Sequence, residues 1–135
     1  MRVIVAGGRD FNDYQFMCAR LDHFFKDLDK NELVIVNGDG PGLWDKVKRE
    51  YVAEGADQLA KRYADERGYK KVLYPPDWTK FGNAAGPIRN KQMITEGKAD
   101  ALVAFNTGGR GTLGMIKLAE EHGLKIRQID CPRVF

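Results

Sequence analysis

Ala101-Leu102-Val103-Ala104-Phe105-Asn106-Thr107-Gly108-Gly109-Arg110-Gly111-Thr112 is the stretch that decides the fold. It begins as a short apolar run, too brief for a helix and suited to a strand buried on both faces. Glycines then break the run. Leu113, Ile116, Leu118 and Ala119 follow at helical spacing as far as Gly123, a good helix stop, so a helix is expected over about 111–122. The unit reads strand, Gly-rich turn, helix.

The same rhythm continues outward in both directions. Apolar or β-branched runs recur at Val3-Ile4-Val5, Leu33-Val34-Ile35-Val36, Val72-Leu73-Tyr74 and Lys125-Ile126-Arg127-Gln128-Ile129. Between them lie helical patterns. Residues 13–29 place Tyr14, Met17, Leu21, Phe24, Phe25 and Leu28 on one face, with Asn12 or Asp13 as cap. Residues 56–67 turn Leu59, Tyr63 and Ala64 inward and stop at Gly68, and residues 86–96 carry Pro87 in their first turn. Strands that alternate with helices pair in parallel, because each crossover returns the chain in the same direction. The expected fold is α/β: a small, doubly wound, Rossmann-like parallel sheet with helices on both faces, forming a single domain over residues 1–135.

One segment breaks the rhythm. After Gly38-Asp39-Gly40-Pro41-Gly42 the chain takes until about residue 54 to reach the next helix, longer than the usual connection of about 2–6 residues. Leu43, Val47 and Tyr51 stand at helical spacing, so a short extra helix is expected in this insertion at about 40–54. It is either a surface decoration, or a lid or dimer contact anchored by Trp44.

Composition bounds the function. At 135 residues, 43% hydrophobic and 30% charged, the chain can bury a core and is neither disordered nor membrane-embedded in profile. Two cysteines, Cys18 and Cys131, supply neither a disulfide framework nor a zinc set, and no other metal spacing is present. With no secretory leader pattern at Met1–Ala6, a cytoplasmic protein with reduced thiols is expected. The net charge of 22 − 19 = +3 is too small to argue for nucleic acid. Glycine, at 15 residues, is in excess, and the excess concentrates in the loops after strands.

In a parallel sheet those loops share one edge, the edge where ligands bind. Gly108, Gly109 and Gly111 can expose backbone N–H groups to an anion at a helix start, Thr112 can cap that helix or donate its hydroxyl, and Arg110 can add a charge-assisted bond. Gly7-Gly8-Arg9-Asp10 follows the first strand. It lacks the spacing of the dinucleotide fingerprint, and Arg9 and Asp10 are either ligand contacts or a local ion pair. Asp57 either meets a ribose hydroxyl or favours its own helix N-terminus. Trp78 and Phe81 either stack on a base or pin their Pro-rich loop. His23 and His122 read as structural, and no nucleophile–base set is evident.

Taken in order, Gly7-Gly8-Arg9-Asp10, Gly55-Ala56-Asp57, Gly86-Pro87-x-Arg89-Asn90-x-x-Met93 and Gly108-Gly109-Arg110-Gly111-Thr112 resemble the SLOG superfamily. The short stand-alone branch related to YspA and YpsA is the nearest likeness, over about residues 2–130. The resemblance implies a Rossmann-like fold that binds a nucleotide-derived small molecule, such as an ADP-ribose-like or cyclic nucleotide signal, and no other cofactor. It assigns ligand contacts to Gly7, Gly8, Arg9, Asp10, Asp57, Arg89, Asn90, Gly108, Gly109, Arg110, Gly111 and Thr112. It also implies a homo-oligomer, dimeric or higher. Relatives include LOG phosphoribohydrolases, which release a base from a nucleoside monophosphate, and the DNA-binding mediator DprA. LOG enzymes carry a catalytic glutamate where this chain has Met115. Methionine can neither accept a proton nor stabilise an oxocarbenium-like cation by charge. Binding is therefore expected over N-glycoside cleavage, with no catalytic residue assigned. The insertion is a second departure from the family pattern.

Overall fold

A computed structural model describes residues 1–132 of the chain. Its order is β1 (Arg2–Gly7), α1 (Tyr14–Phe25), β2 (Val34–Asn37), β3 (Leu43–Asp45), β4 (Glu50–Ala53), α2 (Ala56–Arg67), β5 (Lys70–Leu73), α3 (Trp78–Phe81), a 3₁₀ turn (Gly82–Ala84), α4 (Ala85–Thr95), β6 (Ala101–Asn106), α5 (Arg110–Glu121) and β7 (Lys125–Asp130). Five strands pair in parallel in the order β5-β2-β1-β6-β7, the Rossmann-like α/β architecture the alternation implies.

Successive side chains of a strand face opposite sides of the sheet, so β1 divides its residues between two cores. Val3 and Val5 pack with Met17, Leu21, Leu59 and Tyr63 beneath α1 and α2. Ile4 packs with Met93, Leu102, Met115 and Ile116 beneath α4 and α5. Complete burial of an aliphatic side chain such as Ile4 or Leu102 contributes roughly 1.5–3 kcal/mol. Outer strands β5 and β7 tolerate Lys70, Lys71, Lys125 and Arg127 because each has a neighbour on one side alone. Among the described residues, no helix is long and apolar enough to cross a membrane.

Helices α1 and α5 each differ from the sequence expectation at one point. Asp13 caps α1 by accepting from the Phe16 N–H at 3.1 Å, but the helix ends at Phe25 rather than near 29. The chain instead turns at Asp29, whose carboxylate accepts from the Asn31 N–H at 2.9 Å, a local bond that competes with the helix ladder. Leu113, expected inward, is 46% exposed, because Thr112, Met115, Ile116 and Ala119 form the buried stripe of α5.

The insertion is the larger correction. Residues 43–53 form an antiparallel hairpin, not a helix, with Trp44 opposite Tyr51 and Asp45 opposite Glu50. Two local effects override the helical spacing. The Asp45 carboxylate accepts the N–H groups of Val47 and Lys48 at 2.8 and 2.9 Å, which closes the turn. The Trp44 and Tyr51 rings then meet edge-on across the strands, 5.0 Å between centroids. Val47, the centre of the supposed helical stripe, is 93% exposed, so that periodicity buries nothing. Gly42 permits the pairing, since a Cβ there would lie 2.0 Å from the Ala53 carbonyl oxygen.

Candidate functional site

From β1 the chain runs outward through β2 to β5, then returns to the other side of β1 as β6 and β7. The strand order therefore reverses between β1 and β6, and their carboxyl ends splay apart to leave a crevice. A cleft of about 840 Å³ occupies that place. Gly7, Gly8, Arg9 and Asp10 line it from the β1 loop, Asp57 from α2, and Arg89 and Asn90 from α4. Gly109, Arg110, Gly111 and Thr112 line it from the start of α5. The structure thus brings together eleven of the twelve expected residues. Gly108 stands just outside the lining, holding a left-handed φ of 93° that aims the chain into α5.

The glycines serve two different ends. At Gly8, a Cβ would fall 1.9 Å from Thr107 Oγ1 and 2.5 Å from Asp10 Oδ1. Its smallness lets the β1 loop lie against the β6 loop, where its N–H donates to the Phe105 carbonyl at 3.2 Å. Thr107 Oγ1 donates to Asp10 Oδ1 at 2.6 Å and ties the two loops again. A Cβ at Gly109 or Gly111, in contrast, would meet nothing within 4 Å. These two positions leave open space above a helix start.

Gly109 is the N-cap of α5, and no side chain bonds into that cap. Thr112, expected as a possible cap, is instead buried within the first turn. The first N–H groups of an uncapped helix lack intrahelical partners and carry the positive end of its dipole. Around this opening stand Arg9, Arg89, Lys91 and Arg110, against the carboxylates of Asp10 and Asp57. Among the described residues, four cations to two carboxylates give the cleft a potential that draws anions.

A polar network fixes the opposite wall. Fully buried Asn37 donates through Nδ2 to the Asp57 carbonyl at 3.0 Å and accepts from the Asp39 N–H at 2.6 Å. The Gly40 N–H donates to Asp57 Oδ2 at 2.9 Å. Burial pushes the Asp57 carboxyl above its ordinary range, opposed by that N–H and by the charge of Arg89. Asp39 moves the other way, held low by its bond from Lys61 Nζ at 2.7 Å. Arg89 donates from Nη1 to the Gly38 carbonyl and from Nε to Asn90 Oδ1 at 3.0 Å. Burial lowers its pKa, yet a guanidinium remains charged. Those bonds use two of its five N–H donors. Asn90 Nδ2 reaches the Gly111 carbonyl at 3.4 Å, linking α4 to the start of α5.

The sequence reading missed several wall residues. Gly114 lies one turn beyond Gly111 on α5, also facing open space, a signal legible as two glycines at helical spacing. Lys91 and Thr107 are cleft residues that only the packing reveals. Trp78 stands on the cleft wall while Phe81 does not, and Asp77 caps α3 by accepting from the Lys80 N–H at 3.0 Å. Met115 is buried at the cleft floor. Among the described residues, no group of three or more His, Cys, Asp or Glu side chains could hold a metal.

A family model described as YAcAr, the YspA, cpYpsA-related SLOG family, matches residues 1–81. The chain belongs to this family. No curated protein matches it. The matched span of this YAcAr protein runs from β1 through α3 and holds Gly7 to Asp10 and Asp57, while Arg89, Asn90 and the 108–112 loop lie beyond it. SLOG membership points to nucleotide-related binding or LOG-like activity.

Proposed function

We propose that this protein binds a nucleotide-derived small molecule, ADP-ribose-like or a cyclic nucleotide signal, as a sensor or sequestering protein. One observation carries the reading. The uncapped start of α5, with open space above Gly109 and Gly111, faces a cleft of about 840 Å³ with an excess of cationic side chains. A phosphate there gains backbone donors, a favourable dipole and charge-assisted bonds from Arg110 and Arg89. Asp57 and Asn90 supply an acceptor and a mixed donor–acceptor for sugar hydroxyls or a base edge. The cleft also has room for more than a phosphate, which favours a ligand with a nucleoside portion.

Calorimetry and thermal shift against a panel of nucleotides test the proposal. A true ligand at 100 times its Kd adds about 2.7 kcal/mol of apparent stability. Silence from every phosphorylated nucleotide in the panel would refute it.

A second reading, phosphoribohydrolase chemistry of the LOG kind, draws support from Asp57. Its carboxyl lies in the cleft wall and burial holds its pKa up, as for groups that exchange protons during catalysis. Release of free base from nucleoside monophosphates, lost in Asp57→Asn, would favour this reading over binding alone.

A further inference from the structure

Among the described residues, Trp78 is the only aromatic side chain that lines the large cleft. Its side chain is 46% exposed, and no described ring or cation stacks on it. The short helix that carries it, α3, is closed by other bonds. Asp77 accepts from the Lys80 N–H at 3.0 Å, and the Gly82 N–H donates to the Trp78 carbonyl. Phe81, at the far end of α3, does not line the cleft, and Lys80 lies over its ring at 5.1 Å. The turn thus closes without help from the indole, which leaves the indole free to serve the cleft.

Helix α4 sets the distance from that indole to the open start of α5. Trp78 Cη2 lies 3.7 Å from the place a Cβ would take at Gly86. Asn90 Nδ2 reaches the Gly111 carbonyl at 3.4 Å. Gly86 and Asn90 stand four residues apart on α4, so they share a face and differ by about 6 Å along its axis. The indole and the α5 start therefore lie along one face of α4, about one helical turn apart. A pentose bridges a gap of that order, and a pentose is what joins base to phosphate in a nucleotide.

The two ends of this face differ in chemistry. Arg110 opens α5 at one end, beside the uncapped N–H groups. At the other end, Pro76 and Pro87 line the cleft as sequence neighbours of Trp78 and Gly86, and neither side chain carries a hydrogen-bonding group. A flat apolar group fits the second end and an anion the first.

We propose that Trp78 is the platform on which the base of a bound nucleotide stacks, with the ribose over the Asn90 turn of α4 and the phosphate at the start of α5. This placement rests on the nucleotide reading above and adds the direction in which the ligand lies. Stacking reads the face of a base and not its edge, so the platform accepts any base. Its role is to select nucleotides over the free sugar phosphates that the cationic end would hold equally well.

Calorimetry on the full chain with AMP, ADP-ribose and the base-free probe ribose 5-phosphate tests it, with fluorescence as a second readout. One stacked base strengthens binding about 5- to 150-fold, so AMP is expected to bind that much more tightly than ribose 5-phosphate. Trp78→Ala is expected to remove this advantage for AMP and ADP-ribose and to leave the Kd of ribose 5-phosphate unchanged, while Trp78→Phe restores part of it. The chain has two tryptophans, and Trp44 lies outside the cleft. In Trp44→Phe the remaining signal comes from Trp78, and AMP is expected to quench it where ribose 5-phosphate does not. Equal affinity of AMP and ribose 5-phosphate would overturn the platform and leave the phosphate site standing. AMP binding that is unaffected by Trp78→Ala, or that leaves the fluorescence unchanged, would overturn it too. So would an equal loss for ribose 5-phosphate in Trp78→Ala, because the indole would then shape the loop and not hold the base. No binding by any of the three probes would overturn the nucleotide reading along with the platform.

Discussion

Gly111→Ala separates the two things a glycine can do, and its outcome bears directly on the proposed site. Gly111 is the second residue of α5, and an added Cβ there meets no heavy atom within 4 Å. The methyl group therefore costs nothing in packing. Alanine also loses less backbone freedom on folding than glycine, so the helix should gain about 0.5–1 kcal/mol. For a chain of this length that raises Tm by roughly 2–5 °C. The same methyl group occupies the space over the N–H donors where a phosphate oxygen would approach to about 2.7–3.2 Å. Loss of one charge-assisted hydrogen bond costs about 1.5–3 kcal/mol, which weakens binding roughly 10- to 150-fold. The variant should thus be more stable and bind less. Differential scanning fluorimetry measures the first effect and calorimetry with the best ligand of the panel the second. A variant that melts lower than wild type shows that the space over Gly111 is filled. A variant that melts higher but keeps its Kd shows that the phosphate sits elsewhere.

Two further substitutions probe the walls of the cleft. Gly8→Ala forces a Cβ into Thr107 Oγ1 and Asp10 Oδ1 and breaks their hydrogen bond, so denaturant titration should show a loss of about 1–3 kcal/mol; a neutral result would mean that the two loops separate freely. Asp57→Asn should alter how stability depends on pH. Burial raises the Asp57 carboxyl above its ordinary value of 3.8, so the folded state holds that proton longer than the unfolded chain. Wild-type stability from this group is greatest in acid and falls as pH rises from about 3.8 through the raised value. Asp57→Asn removes the penalty, so its advantage over wild type should be present at pH 7 and vanish in acid; an advantage that grows as pH falls would contradict the assignment. Asp39→Asn should run in the opposite direction, because the bond from Lys61 lowers that carboxyl and its contribution is lost as pH falls.

The inner strands β1, β2 and β6 were legible because each is a short apolar run buried on both faces, and that pattern depends on local chemistry alone. Gly68 ends α2 in the left-handed region, as glycine after a helical stripe implies. The hairpin at 43–53 was not legible as such, since Leu43, Val47 and Tyr51 satisfy a helical count as well as a strand alternation does. The turn bonds of Asp45 and the Trp44–Tyr51 contact decided between them.

By itself, the sequence determined the order of the five strands of the parallel sheet and of the main helices between them, and the collection of glycine turns at one edge of the sheet, because periodicity and turn chemistry act over a few residues. Only the tertiary structure decided what each glycine is for. Gly8 is small because Thr107, ninety-nine positions further along the chain, packs against it, while a Cβ at Gly111 would meet no heavy atom within 4 Å. It likewise set the polar wall of Asn37, Asp57 and Arg89, whose bonds join β2, α2 and α4. Such contacts depend on distances across the fold, and no local pattern encodes them.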